Sequence, residues 1–229
     1  MSATRRLPLA FALSLLLASS AVVAASDVVD IDKVNGSITA ESGQVYGDLE
    51  TVNGSIRIED GAHARDAQTV NGSVKAGDGI EAEDLGTVNG SIRVGTQARI
   101  GGGIETVNGG IFVDRGGNVA KGIETVNGAI GIVATEVGGG IETVNGDVTV
   151  GIDSHVHGGL KVTKPTSNWM PIKFGGNRKP RIVIGPNAVV DGDLVFEREV
   201  TLYVHTSARI GKVTGATPVA FDTPRAPRD

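Results

Sequence analysis

Val52-Asn53-Gly54-Ser55-Ile56 is the stretch that decides the fold, because the chain repeats it with small changes seven times. The copies begin at Val34, Val52, Val70, Val88, Val107, Val126 and Val144. Their asparagines are Asn35, Asn53, Asn71, Asn89, Asn108, Asn127 and Asn145, separated by 18, 18, 18, 19, 19 and 18 residues. So short and even a period marks a solenoid in which every repeat makes one turn of the coil.

Three apolar columns recur around this motif. Ile38, Ile56, Val74, Ile92, Ile111, Ile130 and Val148 each have an apolar companion two residues later, the spacing of two inward side chains on one strand. A second column is Val45, Ala64, Ala82, Ile100, Val119, Val137 and Val156; a third is Leu49, Ala67, Leu85, Ile104, Ile123, Ile141 and Leu160. Three short strands per repeat, separated by bends rich in glycine and aspartate, give an all-β chain: a single-stranded, three-faced parallel β-helix. Helical repeats fail on Gly101-Gly102-Gly103 and Gly138-Gly139-Gly140, where each glycine in mid-helix would cost about 1 kcal/mol relative to alanine. One coil buries too little to stand alone, so folding must be cooperative along the axis.

After Leu160 the pattern breaks. Residues 163–181 form an insertion holding Pro165, Pro171 and Pro180, the only tryptophan (Trp169) and Phe174. The coil spacing resumes over 182–214, so β-helix repeats at 26–162 and these later coils make about nine coils of 18–19 residues. At roughly 4.8 Å per stacked strand the rod is about 43 Å long. Residues 215–229 carry Pro218, Pro224 and Pro227 with little to bury, and are expected to be a flexible tail.

The first 25 residues read as a secretory leader: Arg5 and Arg6, then the apolar run Leu7 to Val23, then Ala24 and Ala25 at a cleavage point. Its removal leaves 19 basic against 26 acidic residues, a net charge of −7 that argues against a nucleic-acid partner. The chain has no cysteine, so stability has to come from burial and hydrogen bonding. No transmembrane segment is expected in the mature chain, and the expected location is the periplasm, the outer envelope or the medium.

With these residues in view, the chain resembles bacterial β-helix repeat proteins of the adhesin type. Its part from Ile182 to Leu194, reading IVIGPNAVVDGDL, is similar to the bactofilins, polymer-forming cytoskeletal proteins. The resemblance implies a right-handed β-helix and end-to-end assembly into a homo-oligomer. It brings no catalytic residues and no cofactor.

Four groups of residues are candidates for a site. The asparagine column reads as a corner, each amide hydrogen-bonding to its counterparts above and below, with asparagine and glycine tolerating the positive φ of a bend. The competing reading lets the strand run on, so that Thr51 and Asn53, and each later pair, form a flat ice-binding-type face. His155 and His157 flank Val156 and should both point outward; a metal site there needs a ligand from another coil, with Asp153 and His205 as candidates, and a solvated pair with no metal is the expectation. A polysaccharide-active enzyme would need clustered carboxylates in a cleft, whereas Glu105, Glu124 and Glu142 recur with the repeat. The insertion concentrates Lys164, Lys173, Arg178, Lys179 and Arg181 beside Trp169 and Phe174, a basic and aromatic set suited to an anionic envelope glycan. The function expected is therefore a non-catalytic scaffold or adhesion element of the cell envelope.

Overall fold

The structure, a computed structural model, describes residues 28–164 and 179–227. The described chain is a β-solenoid of parallel strands in three sheets. Sheet A runs from Val29–Asn35 to Val213–Thr214 and sheet B from Ile38–Ala40 to Pro218–Phe221, each with ten strands. Sheet C has seven, from Glu81–Ala82 to Arg209–Ile210, preceded by bridges joining Val45 to His63 and His63 to Glu81. From the first strand of sheet A to its last, the chain completes nine turns.

Register follows the repeat. Asn53 stands on Asn35, Asn71 on Asn53 and Asn89 on Asn71, while Ile56 stands on Ile38 and Val74 on Ile56. Like therefore stacks on like, and the aliphatic columns merge into one continuous core of Ile, Val, Leu and Ala, joined near its C-terminal end by Phe196. That is how a chain with 3% aromatic residues fills its interior: each layer is one strand spacing thick, and β-branched side chains tile it.

Three features differ from the expectation. Val45 is 57% exposed, because the core position eight residues after Ile38 is Tyr46, which packs against the core while Val45 pairs with His63. Positive φ occurs at the Asn-Gly corner only at Gly36, with φ of 111°, and otherwise sits mainly at the bend between sheets B and C: Gly43, Gly61, Gly79 and Gly116 hold φ of 68, 67, 64 and 74°, and Gln97, Ala134, Asp153 and Asn187 take the same role in other coils. Residues 218–221, expected within a mobile tail, form a strand on Leu202–His205. The free strand edge captures them, and Phe221 is buried with Val183 and Tyr203 on the outer face of sheet B.

Candidate functional site

The Val-Asn-Gly corner joins sheet A to sheet B. In each strand of the middle coils the apolar residue and the threonine face inward and the asparagine, two further on, is exposed where the chain bends away. Thr51, Thr69, Thr87, Thr106, Thr125 and Thr143 are buried, so the flat threonine and asparagine face is ruled out: the hydroxyls belong to the interior. Thr69 Oγ1 donates to the Gly54 carbonyl at 2.8 Å and Thr87 Oγ1 to the Gly72 carbonyl at 2.8 Å. Such a bond satisfies both a buried hydroxyl and a corner carbonyl of the preceding coil.

Outside, the amides form a ladder. Asn53 Nδ2 donates to Asn35 Oδ1 at 3.1 Å, and the chain of bonds continues through Asn71, Asn89, Asn108 and Asn127 to Asn145. All its bonds point the same way, so amide dipoles add and the last oxygen, Asn145 Oδ1, is the negative end. The Arg198 guanidinium donates to that oxygen and to the Val144 carbonyl at 3.1 Å. A cation thus closes the ladder where the repeat motif ends. From Gly54 onward glycine follows each asparagine for clearance: a Cβ on Gly90 would lie 1.9 Å from the Gly72 carbonyl oxygen, and one on Gly109 1.8 Å from that of Gly90.

The insertion leaves sheet A after Leu160–Val162 and rejoins sheet B at Arg181–Ile184, in the place of an Asn corner. Of its candidate binding residues, Trp169, Lys173, Phe174 and Arg178 lie outside the described residues. Lys164 is exposed, and its N–H donates to Glu197 Oε2 at 3.2 Å. Lys179 pairs with Glu199 at 2.8 Å, a contact that holds the Glu199 carboxyl below its ordinary range. Arg181 donates to the Pro227 carbonyl at 2.6 Å and lies over the Tyr203 ring. Lys179 and Arg181 thus fasten the base of the insertion to the neighbouring coil and the C-terminal segment.

Sheet C carries the least repetitive group of polar side chains. His155–Val156 pairs with Glu136–Val137 on one side and Val189–Val190 on the other. Val137, Val156 and Val190 point into the core, so His155, His157, Glu136 and Asp191 point out. His155 Nε2 meets Asp191 Oδ2 at 2.7 Å and its Nδ1 lies 3.5 Å from Glu136 Oε1. His157 Nε2 hydrogen-bonds Glu136 Oε1, and its Nδ1 lies 3.4 Å from Asp191 Oδ2. The two rings face each other with centroids 4.0 Å apart. These contacts, the hydrogen bond with His155 foremost, hold the Asp191 carboxyl below its ordinary value. The outward direction of the histidines is as the spacing required, but their partners are different. Asp153 instead accepts from Asn187 Nδ2 at 3.1 Å, and His205 contacts Ser207 Oγ at 2.7 Å and stacks edge-on against Phe221.

Comparison of the chain with models of protein families, with curated proteins and with solved structures returns no match.

Proposed function

We propose that this chain is an exported, non-catalytic β-solenoid that serves as a structural or adhesion-type scaffold of the bacterial cell envelope and assembles end to end. The observation that carries the reading is the partnering at the corner. The repeated asparagines, and every corner threonine from Thr51 to Thr125, are bonded to the same motif of an adjacent coil, as Thr87 is to Gly72 and Asn89 to Asn71. Polar side chains used in this way build length rather than a reaction centre. Among the described residues the first strands of sheets A and B have no strand on their outer side, and Val28, Val29 and Val34 beside them are exposed. All strands being parallel, the last coil of one copy presents the complementary edge to the first coil of another. Such a head-to-tail contact does not close on itself and grows as a filament. Export rests on the leader-like run behind Arg5 and Arg6, and the envelope role on the resemblance to adhesin-type and bactofilin repeats.

Sedimentation velocity and negative-stain microscopy of residues 26–229 test the assembly. Rods that lengthen with protein concentration are the expected result; a monomer at every concentration contradicts it. Cell fractionation of the full chain, with and without residues 1–25, tests export: the full chain should leave the cytoplasm and the shortened one should stay.

A further inference from the structure

We propose that Glu136, His155 and His157 form a binding site for one divalent late first-row transition ion, with Asp191 as the carboxylate that orients both rings. Glu136 Oε1 and one nitrogen of each histidine lie within 4.8 Å of one another. Ligand atoms around a tetrahedral ion with bonds of about 2.0–2.1 Å stand roughly 3.3 Å apart. The Glu136 Oε1 to His155 Nδ1 separation of 3.5 Å already matches, and His157 Nε2 needs only to exchange its direct hydrogen bond to Glu136 for the shared ion.

The second carboxylate makes the arrangement specific. With the ion on His155 Nδ1 and His157 Nε2, the proton of each ring must sit on its other nitrogen. Both of those nitrogens face Asp191 Oδ2, at 2.7 Å for His155 and 3.4 Å for His157. One carboxylate therefore fixes the tautomer and tilt of two imidazoles, the usual arrangement behind metal-bound histidine. Three consecutive coils contribute: Glu136 from one, the histidines from the next and Asp191 from the third.

Access and backbone support agree. Each of the four side chains is between 32% and 51% open to solvent, so an ion can enter without the coil opening. Gly138, His157, Asp191 and Gly211 occupy equivalent positions on successive coils, each N–H bonded to a valine carbonyl of the coil before. With three protein ligands, a water molecule would take the fourth position of a tetrahedral ion. Two imidazole nitrogens and one carboxylate favour Zn²⁺, Ni²⁺ or Cu²⁺ over Mg²⁺ or Ca²⁺, which prefer oxygen alone.

Isothermal titration of ZnCl₂ into the chelator-treated, untagged mature chain tests the assignment. One ion should bind per chain, and Mg²⁺ should give no heat of binding. The double variant His155→Gln/His157→Gln should abolish binding, Asp191→Asn should weaken it about 10- to 100-fold, and His63→Gln, on a histidine bridged to Glu81 at the start of sheet C, should leave it unchanged. Circular dichroism of each metal-free variant must match the parent, which separates loss of the site from loss of the fold. Absence of saturable Zn²⁺ binding by the parent, or equal binding by the well-folded double variant, overturns the proposal. Rod formation is scored separately, so either idea can fail without the other.

Discussion

The Asn corner and the histidine face solve the same geometric problem in opposite ways. At the corner the asparagines from Asn35 to Asn145 and the threonines from Thr51 to Thr125 bond the same motif one coil away, so the arrangement extends along the run of repeats. On sheet C the partners of His155 and His157 are two different residues, Glu136 below and Asp191 above, so the arrangement exists at one height of the rod only. Repetition makes length and irregularity makes a place. A β-solenoid therefore locates its specific chemistry where its own period lapses.

The contrast is most readily broken at the corner glycines. Gly90→Val should lower unfolding free energy by about 4 kcal/mol or more, since the added Cβ collides with backbone that every other coil holds in register. Gly79→Ala offers the sharpening control. It has open space around the added methyl but a φ of 64°, and should cost only about 1–2 kcal/mol in urea denaturation. Next comes Thr87→Val, which removes the buried hydroxyl bond to Gly72 and should cost about 1–2 kcal/mol. Asn89→Ala interrupts an exposed ladder and should cost about 1 kcal/mol.

The smallest effect belongs to the acidic row on sheet A. Burial first, then the flanking Glu105 and Glu142, raise the Glu124 carboxyl above its ordinary value. The folded chain thus holds that proton more readily than the unfolded chain, and stability tied to it is lost as pH rises through the folded value. Glu124→Gln should raise the thermal midpoint modestly at pH 7. The gain should vanish below the unfolded value of roughly 4.3.

Much of the fold could be read from residues alone because a coil repeats its errors as well as its rules. Seven copies of one motif fix the period, and apolar residues two apart fix the inward face. The misreading of Val45 shows the limit: a valine one place before Tyr46 looks like a core residue until the eight-residue step from Ile38 is enforced. The left-handed bend was hidden for a related reason. Glycine marks it at 43, 61, 79 and 116, but Gln97, Ala134, Asp153 and Asn187 fill it elsewhere without an evident pattern. Asp191 was hidden by the insertion. One coil above His155 is normally 18 or 19 residues away, but here Val189 is that neighbour, and Asp191 lies beyond a segment whose length no pattern announces. The strand at 218–221 has no mark in the sequence, because backbone pairing on an open edge, rather than apolar content, places it.

The stacking itself is open to one direct measurement. The chain lacks cysteine, so nitroxide labels can be placed in pairs through introduced cysteines, with Thr149 as the fixed site and Lys75, Arg57 and Thr39 as its partners. These four side chains occupy one outward column of sheet B, four, five and six coils apart. Pulsed dipolar spectroscopy should give distances near 19, 24 and 29 Å, each pair one strand spacing longer than the last. Distances that fail to grow in even steps, or that scatter broadly, would mean that successive windings do not lie on one another.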